Sequence, residues 1–213
     1  ELGLDSKEFV KELEKEGIQF YSQSDTEVLI NSLIFWGIDG LNKLDGMFAG
    51  AFHDRLTGKH IIFRDPLGQK PLYVYEYEEG VIYSSELRAL LELDNFSWKI
   101  DRDSFRQFLL SSYYPWNMSP IKGIEKLLPG SLWTIDNNYI SKSRWWDSIP
   151  GEKNLDIGMN EAVTKFEKLL DRSCELSLRS DVPIGVFLSG GIDSSLLLSS
   201  CHKVSNNIKT FSV

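Results

Sequence analysis

Residues 182–204, VPIGVFLSGGIDSSLLLSSCHKV, constrain the fold of this chain more than any other segment. The apolar run VPIGVFL is typical of a strand buried on both faces. It passes directly into Ser189, Gly190 and Gly191, and a helical run, LLLSSCHKV, follows. Another strand, IKTFSV, comes next, and the order strand, helix, strand opens a parallel α/β sheet.

A tight turn from a strand into a helix brings backbone amides and the helix N-terminus to one spot above the strand's carboxyl end, which makes an anion site. Gly190 and Gly191 remove the side chains that would block a close approach, and Ser189, Ser194 and Ser195 offer hydroxyl donors. A carboxylate in such a loop is unfavourable unless it is neutralised, so Asp193 calls for a divalent cation, magnesium, bridging protein and phosphate. The loop has neither the GK[ST] ending of a Walker A site nor the GxGxxG spacing of a dinucleotide fold. The bland alternative is a Gly-Gly turn in which Asp193 or Ser194 merely caps the helix.

Upstream the periodicity differs. Residues 5–17 and 25–35 have helical spacing, separated by a short strand, IQFYS. From Met47 the pattern becomes strand-like: MFAGAFHD, HIIFRD, PLYVYEY and VIYSS, joined by tight turns, predict one antiparallel meander. Helices over 86–93 and about 103–110 follow, then a hairpin, SLWTIDNNYISKSRWW, turning at Asn137-Asn138. Arg64 and Asp65 read as an ion pair at a strand end, and the surrounding strands as core. DSIPGEKNL (147–155) reads as a linker, and a long helix over 160–178 opens on a good cap.

A chain of 213 residues, 42% hydrophobic and 25% charged, can bury a real core. The 23 basic and 31 acidic residues give a net charge of −8, without a Lys or Arg run dense enough to track a phosphate backbone, so nucleic acid is an unsuitable partner. No stretch suits a membrane span or a signal peptide, which points to the cytoplasm. Cys174 and Cys201 fall in helical segments without CxxC spacing and read as reduced core thiols. His53, His60 and His202 form no metal-ligand pattern. Glu1 is not a start methionine and Val213 stops within a strand-like run, so the chain reads as a piece cut at both ends.

SGGIDSS resembles the pyrophosphate loop of the ATP pyrophosphatase superfamily, and the resemblance implies adenylation of a substrate carboxylate, with pyrophosphate and magnesium held on the loop. SDTEVLI, LDGMFAGAFHD, FRDPLGQKPLYVY, YSSELRALLEL, KGIEKLLPGS, SDVPIGVFLSGGIDSS and KTFSV occur in that order. Together they resemble the glutamine-hydrolysing asparagine synthetases over nearly the whole chain. The implied fold is α+β, part of an N-terminal-nucleophile-type glutaminase with antiparallel sheets and helices (1–150), followed by the beginning of an α/β parallel-sheet ATP pyrophosphatase domain (151–213).

The resemblance further implies glutamine, aspartate and ATP as small-molecule substrates, magnesium as cofactor, and a homodimer of the full-length parent. Asp25 matches the aspartate that holds the α-ammonium of free glutamine, a charge-assisted bond; its alternative role is the N-cap of the helix it opens. Leu188 and Val213 match positions whose backbone meets the adenine nucleotide, and ordinary core residues are the alternative there. The family's nucleophile, an N-terminal cysteine with a free amine, is absent from this chain, and neither Cys174 nor Cys201 replaces it, so no catalytic residue is assigned and no glutamine hydrolysis is expected. Relatives that close a β-lactam or amidate a sugar acid, and a noncatalytic nucleotide-binding module, are the competing readings. A tRNA-modifying enzyme is disfavoured by the acidic charge balance.

Overall fold

The computed structural model describes residues 6–78, 80–93, 96–136, 139–147, 157–180 and 182–212. The chain divides into two compact units, Glu1–Ile149 and Pro150–Val213.

The first unit begins with two helices, α1 (Ser6–Lys15) and α2 (Asp25–Trp36). Helix α1 stops where Gly17 takes φ +88° and the Ile18 amide turns back to the Leu13 carbonyl at 3.0 Å. The strand expected at IQFYS does not form. Two of its amides are taken by Glu27 instead, which accepts from the Tyr21 N–H at 2.8 Å and the Ser22 N–H at 2.7 Å. Ser24 is the N-cap of α2, its hydroxyl accepting from the Thr26 amide at 3.2 Å. With Glu27 reaching back, this is a close relative of a capping box. Asp25 is therefore the first helical residue and not the cap. After α2 a 3-10 segment, Gly37–Lys43, folds back on the helix, so closely that a Cβ on Gly40 would lie 2.6 Å from the Ser32 carbonyl oxygen.

The expected single meander splits into two sheets. Strands β1 (Ala49–His53), β2 (His60–Arg64), β6 (Ser131–Asp136) and β7 (Tyr139–Arg144) form one antiparallel sheet in the order β1-β2-β6-β7. Strands β3 (Tyr73–Tyr77), β4 (Gly80–Ser84) and β5 (Ile124–Lys126) form another, β4-β3-β5. Arg64 and Asp65 explain the split, and not as the expected ion pair. The fully buried Asp65 carboxylate accepts from the amides of Leu67 (3.1 Å), Gln69 (2.9 Å) and Lys70 (3.0 Å), winding residues 66–70 into a knot. The Arg64 guanidinium donates to the carbonyls of Lys70 (2.7 Å), Gly68 (2.5 Å) and Leu127. Side chains of adjacent extended residues diverge, so each charge finds backbone groups in place of its neighbour. The knot redirects the chain from β2 into the second sheet. Gly68 is required within it: φ is +64°, and a Cβ would stand 2.9 Å from Pro129.

Side-chain alternation on β2 joins three layers. Ile61 and Phe63 pack with Leu33, Leu41 and Phe48 under α2, while Ile62 packs with Leu72, Val74, Leu127 and Trp133 between the sheets. A third cluster, Leu90, Ile121 and Ile124, holds α3 (Leu87–Leu91) against the second sheet. Helix α4 (Arg102–Ser111) is capped by Asp101, which accepts from the Ser104 amide at 2.8 Å. This unit is α+β with antiparallel sheets.

In the second unit α5 (Met159–Ser177) starts behind Gly158, which provides no side-chain cap, so the good cap expected there is missing. Strand β8 (Gly185–Phe187), helix α6 (Ile192–Val204) and strand β9 (Lys209–Phe211) give the parallel strand, helix, strand order, with Gly185 opposite Lys209 and Phe187 opposite Phe211. The strand is shorter than the apolar run, and burial on both faces is not observed: Phe187 is 80% exposed. Two paired strands cannot cover their own faces. Most of the linker expected over 147–155, the Asn137-Asn138 turn and Val213 lie outside the described residues.

Candidate functional site

The turn from β8 into α6 is built by the ladder that precedes it. The Leu188 amide donates to the Phe211 carbonyl at 2.8 Å, one step beyond the paired residues, and leaves residues 189–191 free of strand hydrogen bonding. Gly190 then adopts φ +77°, with nothing within 4 Å of a Cβ built there, so its backbone conformation and not crowding demands glycine. Gly191 is the N-cap of α6, at φ −79° and ψ 168°. Its carbonyl accepts the first intrahelical bond, from the Ser195 amide at 3.1 Å. The amides of Ile192, Asp193 and Ser194 therefore open the helix with no carbonyl of their own helix to meet. These three donors, beside the positive end of the helix dipole, are what an anion needs.

Neither Asp193 nor Ser194 occupies the cap position. The three serines bond within the loop: Ser189 Oγ lies 3.1 Å from Ser194 Oγ and accepts from the Gly191 amide at 3.4 Å. The Ser194 and Ser195 hydroxyls approach the Gly191 carbonyl at 3.1 and 2.8 Å. To donate to a phosphate they must turn away from that carbonyl. Ser189, Gly190, Gly191, Asp193 and Ser195 are exposed and Ser194 is half-buried, so no side chain plugs the turn. Asp193 lies in the first turn of α6. Among the described residues no cluster of three or more His, Cys, Asp or Glu could hold a metal. One carboxylate beside a row of amides suits magnesium, which keeps several waters and binds through one carboxylate and phosphate oxygens. Leu188 is half-buried at the end of β8, while its companion Val213 lies outside the described residues.

Asp25 is half-buried at the start of α2, in the first unit. Next to it, hydrogen bonds from the Ser22 hydroxyl and from the Tyr21 and Ser22 amides hold the Glu27 carboxyl below its ordinary value. The sequence signal for this arrangement was the spacing of Ser24 and Glu27, three residues apart, which is that of a capping box.

The remaining candidates are structural. Cys174 and Cys201 are free and buried on α5 and α6; Cys174 Sγ lies 3.9 Å from the Leu197 carbonyl. Burial, followed by the neighbouring Cys201 thiol, pushes the Cys174 thiol up to about 11, which suppresses the thiolate. His53 and His60 face each other across β1 and β2 with ring centroids 5.6 Å apart, and burial holds His60 below its ordinary value. No helix among the described residues is long and apolar enough to cross a membrane.

Residues 5–146 match the family model described as glutamine amidotransferase domain. The chain belongs to that family. Residues 165–213 match the model described as asparagine synthase, so the candidate loop falls within a second family segment. The chain is 32% identical to the asparagine synthetase (glutamine-hydrolyzing) 1 of Bacillus subtilis, over 97% of this chain and 32% of that protein. To the asparagine synthetase (glutamine-hydrolyzing) 3 of the same organism it is 32% identical over 88% of this chain and 30% of that protein. A putative asparagine synthetase (glutamine-hydrolyzing) 2 of Methanocaldococcus jannaschii is 30% identical over 94% of this chain and 40% of its own length. The chain thus spans about a third of the length of the relatives it matches.

Proposed function

We propose that this chain is part of a ligase that makes asparagine from aspartate, glutamine and ATP, releasing AMP and pyrophosphate. In this reading residues 1–150 belong to the glutaminase and 151–213 begin the synthetase. The observation that carries it is the open turn 189–195, whose Ile192, Asp193 and Ser194 amides lack helical partners beside an exposed carboxylate. The two family matches, in the order amidotransferase then synthase, support it, as do the names of the relatives.

The residues divide the work as follows. The amides of 192–194 and the hydroxyls of Ser189, Ser194 and Ser195 hold the β and γ phosphates, and Asp193 is the residue that would hold magnesium. Magnesium, when bound, neutralises the charge that collects on departing pyrophosphate. An aspartate β-carboxylate oxygen attacks the α phosphorus and the bond to the pyrophosphate oxygen breaks. Ammonia then attacks the acyl carbon and expels AMP. Backbone at Leu188 flanks the adenine ring. Asp25, half-buried in the first turn of α2 next to the Ser24 cap, binds the α-ammonium of glutamine.

Isotope transfer tests the reaction. With aspartate carrying ¹⁸O in its β-carboxylate, the full-length protein is expected to deliver one labelled oxygen into AMP. AMP formed without label would exclude the acyl adenylate, and ADP formed in place of AMP would exclude this ligase class.

A further inference from the structure

We infer that Ser212 is a positioning residue for the diphosphate loop; the inference rests on the reading of that loop given above. The Ser212 hydroxyl donates to the Leu188 carbonyl at 2.8 Å. The paired residues of the parallel ladder end at Phe187 and Phe211, and the last backbone bond between the strands is Leu188 N–H to Phe211 O at 2.8 Å. The Leu188 carbonyl is the next group along, and it takes the Ser212 hydroxyl.

The peptide between Leu188 and Ser189 is planar, so fixing its oxygen fixes its N–H and the direction in which the chain enters the turn. Everything downstream inherits that direction. Ser189 places its Oγ 3.1 Å from Ser194 Oγ and 3.4 Å from the Gly191 amide, and Gly191 sets the start of α6. Without the Ser212 hydroxyl, water can satisfy the exposed Leu188 carbonyl, but water does not hold a peptide plane in one orientation. Loss of Ser212 should therefore loosen the turn without unfolding the unit. Gly190, with φ +77° and open space around it, is where that looseness would be expressed.

The test titrates magnesium pyrophosphate into the chain calorimetrically, with amide exchange of a peptide spanning residues 186–191 measured in parallel. Ser212→Ala is expected to weaken binding about fivefold, the factor that one hydrogen bond of ordinary net strength carries. It should also speed exchange in that peptide while leaving the unit folded, with its thermal midpoint lowered by only about 4–8 °C. Ser212→Thr, which keeps the hydroxyl, is expected to restore both. Wild-type binding by Ser212→Ala overturns the inference, and so does equal weakening by the Ala and Thr variants, which marks a packing role. If the unsubstituted chain itself fails to bind magnesium pyrophosphate, the loop reading falls and the inference with it. That result is distinct from a failure confined to Ser212.

Discussion

Replacing Asp65 by alanine removes one carboxylate and strands the three amides of Leu67, Gln69 and Lys70 that it accepts from. The side chain is fully buried. Hydrogen bonds to a charged acceptor are worth about 1.5–3 kcal/mol each, so the gross loss is roughly 4.5–9 kcal/mol. Two terms reduce it. Removing the carboxylate also removes its desolvation cost, and Leu67, 69% exposed, sits where water can reach its amide. A net loss of about 3 kcal/mol remains. All six tryptophans of the chain lie at or before Trp146, so their fluorescence reports the first unit alone during urea unfolding. With a slope of about 2 kcal/mol per molar urea the midpoint should fall by about 1.5 M. Asp54 is the internal control: its carboxylate likewise accepts from the Leu56 amide at 2.9 Å and the Thr57 hydroxyl at 2.7 Å, but at the surface. Asp54→Ala should cost clearly less. Equal losses at the two positions would refute the argument that burial sets the cost.

Gly68→Ala, which puts a Cβ 2.9 Å from Pro129 at φ +64°, should destabilise the same unit by about 2 kcal/mol in the same assay. The Glu27 carboxyl titrates below its ordinary value in the folded state, so its stabilising effect is full above the unfolded pKa and fades as pH falls through the folded one. Glu27→Gln should accordingly lower the urea midpoint at pH 7 and change it much less at pH 3. Cys174, buried with its thiol raised to about 11, should resist a thiol reagent at pH 7 until urea opens the second unit; rapid labelling of the native chain would contradict its placement.

What could be read from sequence was set by how far apart the interacting residues lie. The SGGIDSS turn is local: a strand, two glycines and a helix start suffice to specify it, and its left-handed Gly190 and helix-opening amides follow from the residues themselves. Of the two roles open to Asp25, the capping one falls to its neighbour, because Ser24 and Asp25 are both good capping residues and only the bond from the Thr26 amide to Ser24 distinguishes them. The division of the meander depends on Arg64 reaching Leu127 and on the Asp65 carbonyl accepting from the Gly130 amide at 2.9 Å. Those partners are more than sixty residues away, and no local pattern announces them. IQFYS has strand composition, but Glu27 takes two of the amides that a sheet would have used. The role of Ser212 is hidden for the same reason as the partners of Arg64, since Leu188 lies 24 residues away, beyond helix α6.

Calorimetric titration of magnesium pyrophosphate into the wild-type chain and into Asp193→Ala tests the central claim most directly. The account predicts binding that requires magnesium, is abolished by a chelator, and falls at least tenfold in the variant. Binding of pyrophosphate that is the same with or without magnesium and unaffected by Asp193→Ala would contradict it.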